Sequence, residues 1–164
     1  MVEIIQAGIE DYKVVHHLAA RVWPDTYLPI LSAEQVEYMF AMMYSREAYT
    51  SQITHKNHSF LLAKVDNVFL GFASYELDYK PDSAKIHKIY ILPEAQGKGA
   101  GKALISAIEN IALQNNNRKL LLNVNRYNPA IHFYLKAGFA TVGEEDINIG
   151  NGYLMEDYIM QKEL

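Results

Sequence analysis

The sequence predicts an α+β fold, a single mixed sheet with helices on its faces, and three observations lead there. Strand-like and helix-like segments follow one another in the order strand, helices, three strands, helix, strand, helix, two strands. No Pro/Gly/Ser-rich linker, low-complexity run or internal repeat divides the chain. Its 164 residues, 50% of them apolar, match the usual size of one domain and supply enough apolar surface to offset the entropy of ordering it. Residues 1–164 are therefore read as one domain.

Val2 to Ala7 reads as a short strand. From Ile9, the positions Ile9, Tyr12, Val15, Leu18, Ala19 and Val22 recur at helical spacing. That helix is expected to stop near Pro24, because the residue before a proline is pushed away from helical dihedrals. Ser32, three residues before Gln35, makes a candidate capping box for a second helix through Val36, Met39, Phe40 and Met43, and Ser45 can cap a third. The runs HSFLLAKV and VFLGFASYEL flank Asp66-Asn67, a pair tolerant of turn dihedrals, which predicts a hairpin. AKIHKIYIL is the next strand. A glycine-rich turn then opens a helix carrying Leu104, Ile108, Ile111 and Ala112 on one side. KLLLNVN follows as a strand, and Asn128-Pro129 starts a short helix that ends at Gly138. Two strands joined at Gly150-Asn151-Gly152 complete the chain.

Composition excludes several classes of function. Fifteen Lys and Arg against 19 Asp and Glu leave a formal charge of −4, with no basic run to neutralise a phosphate backbone, so a nucleic-acid partner is not expected. The absence of cysteine removes disulfides, thiolate nucleophiles and Cys-type zinc sites. No signal-like start and no long apolar run point to a membrane, and a soluble cytoplasmic protein is expected. The histidines include His16-His17, His55 and His58, none at the helical spacing of a zinc site beside a carboxylate; they read as surface residues, and no metal is expected.

Gly97, Gly99 and Gly101 are evenly spaced, which does not fit a dinucleotide fingerprint, and Lys102 is followed by Ala103 rather than Ser or Thr, which does not fit a nucleotide-hydrolase phosphate loop. What remains is a turn whose backbone N–H groups can approach an anion at the start of a helix, a good seat for a pyrophosphate. Plain helix entry without a ligand is the alternative, and context decides between them.

That context is the segment Gln96-Gly97-Lys98-Gly99-Ala100-Gly101, preceded by the strand IHKIYIL and followed by a helix. It resembles the coenzyme A signature of the GCN5-related N-acetyltransferase (GNAT) family, Gln/Arg-x-x-Gly-x-Gly/Ala, at every position. A second block of the family resembles Asn128-Pro129-Ala130-Ile131-His132-Phe133-Tyr134 with Gly138-Phe139 downstream. The likeness covers residues 2 to 162 in element order and is specific from Lys85 to Phe139. It implies a twisted, mostly antiparallel sheet of about seven strands, splayed between the fourth and fifth, with acetyl-CoA as cosubstrate.

The resemblance also implies roles. Gln96, Gly97, Lys98, Gly99, Ala100, Gly101 and Lys102 would hold the pyrophosphate, with Lys98 and Lys102 either meeting the 3′-phosphate or simply solvated. Ile89, Tyr90 and Ile91 would pair with the pantetheine arm, and the Ile91 N–H would polarise the thioester. Asn128 would touch the same arm or serve only as a cap. Tyr134 matches the tyrosine that protonates the leaving thiolate, while Phe133 beside it is expected in the core. Relatives often carry a base Glu where this chain has His87, so His87, Glu76 or ordered water is the candidate base. Trp23-Pro24-Asp25-Thr26-Tyr27 either lines the acceptor site or packs, and Glu144-Glu145-Asp146 reads as a solvated loop able to attract a cation.

The runs IHKIY through FYLKAGF and GYLMEDYIM look most similar to the spermidine/spermine N-acetyltransferase branch. Direct acetylation of a small primary amine such as a polyamine is thus expected, with a protein N-terminus, amino acid or aminoglycoside as other acceptors. A coenzyme A sensor without turnover is the competitor of another class. The terminal hairpin is a candidate homodimer contact.

Overall fold

The computed structural model describes residues 1–164. Seven strands form one sheet: β1 (Glu3–Ala7), β2 (Ser59–Val65), β3 (Val68–Lys80), β4 (Ser83–Ile91), β5 (Lys119–Asn125), β6 (Ala140–Gly150) and β7 (Tyr153–Glu163). Their spatial order is β1-β2-β3-β4-β5-β7-β6. Every neighbouring pair is antiparallel except β4 and β5, which run parallel. The α+β class and the mixed, mostly antiparallel sheet are as expected.

Five helices cover the sheet: α1 (Tyr12–Tyr27), α2 (Ala33–Tyr44), α3 (Arg46–Thr54), α4 (Ala100–Gln114) and α5 (Ala130–Lys136). The first three pack on one face through aromatic contacts that pair Tyr49 with Phe60, Tyr44 with Phe72, and Trp23 with Tyr90. On the other face α4 lies against β2, β3 and β4 and buries Ala100, Leu104, Ile105, Ile108 and Ala112. The core between the layers holds Trp23, Phe60, Phe72, Leu104, Leu120 and Met160, each fully buried. Burial on this scale, at about 25 cal/mol per Å² of apolar surface, is the main force holding sheet to helices.

The turns form where the residue types demand. Asp66 and Asn67 both take positive φ (48° and 64°), as do Asn151 and Gly152 (55° and 79°), the pattern of two-residue hairpin turns. Ser45 caps α3 by accepting from Ala48 N at 3.1 Å.

Three local expectations are corrected. The first helix does not stop at Pro24 but runs to Tyr27. Pro24 and Ala20, whose carbonyl loses its helical partner, both face solvent, while Trp23 and Tyr27 anchor the last turn in the core. At its start, Ile9–Asp11 forms a 3₁₀ turn and Ile9 is exposed, so the buried stripe begins later. The capping box is half made: Ser32 Oγ accepts from Gln35 N at 3.1 Å, but the Gln35 side chain donates to the Leu154 carbonyl at 2.9 Å instead of returning to Ser32.

Candidate active site

The site begins with a defect in the sheet. On β4, Lys88 faces Ser74 and Ile86 faces Tyr75, so His87 is an extra residue, a β-bulge that bends the strand. Pairing between β4 and β5 covers only Ser83–Ile86 against Lys119–Leu122 and stops there. Beyond the bulge the two strands part, as the resemblance implied, and backbone groups are left facing the gap. Leu92 N donates to Leu70 O on β3 at 2.8 Å; by strand alternation Ile89 and Ile91 turn their N–H groups the other way, into the opening. A sheet edge of this kind pairs with any extended ligand that offers amide groups.

Above the opening lies the glycine turn. Gly97 and Gly99 have φ of +81° and +85°, conformations that side chains resist, and together they coil the backbone into the start of α4. None of the backbone N–H groups from Gly97 to Lys102 donates to a protein acceptor. Unpaired donors at a helix N-terminus make an anion seat. A Cβ on Gly101 would stand 3.0 Å from the Phe133 ring, so the third glycine lets α5 pack closely under α4.

These features open into one cleft of about 1000 Å³. His87, Ile89, Tyr90, Ile91, Gln96, Gly97, Gly99, Ala100, Gly101, Lys102, Asn128 and Tyr134 all line it. Lys98 does not: it turns to a second hollow beside Arg21 and Glu94, away from the other loop residues. Asn128 Oδ1 accepts from Ala130 N at 2.9 Å, so the cap is real, while its Nδ2 has no protein partner and stays available to the cleft. Tyr134 is buried and its hydroxyl makes no hydrogen bond within the protein; burial holds the phenol above its ordinary value. Phe133, expected in the core, is instead 38% exposed on the cleft wall, because the face of α5 that meets the sheet carries Tyr134.

One wall of the cleft is built from α1 and β4. Tyr27 and Tyr90 join hydroxyls at 2.8 Å, and Trp23 donates to Tyr44 Oη at 3.2 Å. Trp23 and Tyr27 therefore both pack and line the cleft, exposed Asp25 and half-buried Thr26 only line it, and Pro24 does neither. Burial pushes Tyr27 up to about 12.

His87 Nε2 lies 2.9 Å from Glu76 Oε1, and the His58 ring stacks on His87 with centroids 3.9 Å apart. Burial, with Lys85, Lys88 and Lys56 nearby, lowers His87 to about 3. Burial and His87 itself lower His58 to about 3 as well. Lys88, 7% exposed, donates to Gln52 Oε1 at 3.0 Å, and burial draws it down to about 7. The ligand atoms of His58, Glu76 and His87 lie within 4.8 Å of one another, the spacing of a metal site. Three lysines around them make that corner electropositive, a field that opposes a bound cation.

The surface reading of His58 is corrected: 11% of its side chain is exposed. His16 is half-buried too, 3.0 Å from the Tyr44 carbonyl. Glu144-Glu145-Asp146 is strand, not loop, and Glu144 and Asp146 hold Arg126. Sequence reasoning missed Lys88 and Asp157. Asp157 lines the cleft at 2% exposure, its Oδ2 3.3 Å from Asn123 Nδ2 and its Oδ1 without a partner. Burial raises its carboxyl, as does Glu145. A signal existed: with adjacent Glu156 and Asp157 inside an apolar strand, alternation sends one of the two inward.

A sheet parted beside an anion seat, with amide groups lining the gap, defines a protein that holds a phosphorylated, amide-bearing chain such as coenzyme A. Residues 15–139 match the acetyltransferase (GNAT) family, and the chain belongs to it. It is 31% identical over 160 residues to a spermidine N(1)-acetyltransferase of Thermoplasma acidophilum, covering 94% of this chain and 96% of that one. The PaiA N-acetyltransferase of T. acidophilum, solved in complex with coenzyme A, superposes with a TM-score of 0.84 at 28% identity over 100% of this chain and 99% of that one. The ribosomal-protein-S18-alanine N-acetyltransferase of Escherichia coli, 19% identical, shares the fold with a TM-score of 0.72 over 99% of this chain and 94% of that one.

Proposed function

We propose that this protein is an acetyl-CoA-dependent N-acetyltransferase that acetylates a small primary amine by direct attack, with a polyamine as the favoured acceptor. The observation that carries the reading is the parted β4–β5 edge leading from the unpaired N–H groups of Gly97–Lys102 to the buried Tyr134 hydroxyl. Acetyl-CoA supplies the activated acetyl group. The glycine turn binds the pyrophosphate, and Ile89 and Ile91 orient the pantetheine arm. The Ile91 N–H stabilises negative charge on the thioester oxygen as the amine nitrogen adds to the carbonyl carbon and the carbon–sulfur bond breaks. Tyr134, protonated throughout the neutral range, gives its proton to the departing sulfur.

A proton must also leave the attacking amine. Glu76 accepts at Oε1, so His87 carries its hydrogen on Nε2 and presents the lone pair of Nδ1. Held neutral at pH 7, His87 acts as an acceptor that passes the proton on, directly or through water, rather than retaining it.

The spermidine-acetylating relative supports the polyamine reading, as does Asp157 in the cleft. A second reading has its own support: Lys56, Lys85 and Lys88 around His87 favour an acceptor that carries a carboxylate, such as an amino acid. Thiol release from acetyl-CoA across spermidine, spermine, amino acids, aminoglycosides and N-terminal peptides decides. Turnover of polyamines alone establishes the first reading, and turnover of amino acids the second. Tight cofactor binding without turnover of any amine replaces both with a coenzyme A sensor.

A further inference from the structure

Asp157 is a buried carboxylate that forms no ion pair within the protein. Its only hydrogen-bond partner is the neutral Asn123 amide. The nearest cationic side chains are committed elsewhere: Arg126 to Glu144 and Asp146 on the outer strand, and Lys85 to the Tyr79 hydroxyl at 3.4 Å. Leaving an ionised oxygen buried and unpaired costs several kcal/mol, so such groups persist where something else completes them.

The surroundings say what. Asp157 sits on the cleft wall close enough to Tyr27 to raise its hydroxyl. Directly paired across β6 and β7, Ile147 and Met155 line the same wall two residues nearer the hairpin and form an apolar strip. Glu145 pairs with Asp157 across the same two strands and stands exposed beside it. A buried carboxylate beside an apolar strip, with a second carboxylate exposed on the neighbouring strand, matches a chain of methylenes interrupted by ammonium groups. The nitrogen being acetylated must reach the thioester unprotonated, and a carboxylate that gripped it as an ammonium would suppress the attack.

We infer that Asp157, with Asn123, forms a subsite for an ammonium of the acceptor other than the one acetylated, so that the site selects diamines and polyamines over monoamines. This rests on the proposed acetyltransfer to a small amine and adds the residue that sets its specificity.

The test compares putrescine and spermidine with n-butylamine in wild type and Asp157→Asn. The expected result is a KM for putrescine and spermidine raised about tenfold or more, as loss of a buried charge pair requires, with the n-butylamine and acetyl-CoA values within about twofold of wild type. Equal changes for diamine and monoamine, or no change, overturn the inference. Should Asp157→Asn not fold, calorimetry on the wild type with coenzyme A bound takes its place: putrescine binding at least tenfold tighter than n-butylamine supports the subsite, and equal binding overturns it. If no amine is acetylated at all, the proposed function falls, while the same calorimetric comparison still judges the subsite separately.

Discussion

His87 and Glu76, on the neighbouring strands β4 and β3, bring Nε2 and Oε1 to 2.9 Å at the bulge where His87 has no partner across the ladder. The bulge that parts the sheet thus also fixes the tautomer of the nearest imidazole.

The stacked pair His58 and His87 makes stability acid-sensitive. Both are lowered in the folded state from 6.5 to about 3, so each takes up a proton on unfolding between those values. The pair's contribution is complete above pH 6.5 and falls as pH drops toward 3, by about 1.4 kcal/mol per pH unit for each group. Urea unfolding at intervals between pH 4 and 7 should show this slope, and His58→Phe should reduce it by one proton. An unchanged slope contradicts the burial of His58 as a neutral ring.

Replacing Tyr134 by Phe removes a hydroxyl with no structural partner while keeping the ring against Phe133 and Phe139. Thermal stability should hold, and kcat should fall on the order of 10²-fold with the acetyl-CoA KM unchanged. Equal loss of kcat and cofactor affinity would move Tyr134 from proton donor to binding group.

At Gly99 a new Cβ would meet nothing within 4 Å, so the cost of Gly99→Ala is purely its φ of +85°, about 1 kcal/mol of stability. Relief of that strain turns the neighbouring N–H groups off their common centre. The acetyl-CoA KM should rise about tenfold while the acceptor KM holds. A cofactor KM at the wild-type value would show that the turn is only a helix entry.

Asn128 separates its two roles by atom. Asn128→Asp retains the oxygen that caps α5 and loses the Nδ2 donor; Asn128→Ala loses both. Melting should place the Asp variant near wild type and the Ala variant about 1 kcal/mol lower. Cofactor affinity should fall in both, and a fall confined to Ala would leave capping as the residue's whole purpose.

Much of this fold was legible because its punctuation is local. Asp66-Asn67, Asn151-Gly152 and the Ser45 cap act through their own backbone, and the stripe of α4 needs only its own period. The glycine turn was legible for the same reason. Pro24 misled because a proline's effect depends on whether the carbonyl it orphans faces water, a tertiary fact. Phe133 misled because adjacent positions on a short helix are separated only by which face turns inward, and here that face carries Tyr134. His58, just ahead of β2, meets His87 of β4 only through the register of β2, β3 and β4, and Asp157 joins the cleft across the crossover that sets β7 beside β5. None of these encounters has a signature in residue spacing.

Backbone bonds lace β4 to β5 at one end alone, from Asp82 to Ile86. In the proposed cofactor site, a pantetheine arm lying along Ile89–Ile91 would lengthen that seam, and the molecule would borrow part of its cohesion from its cosubstrate. Saturating coenzyme A should accordingly slow hydrogen exchange on both sides of the seam, in β4 and in β5, well beyond the residues it touches.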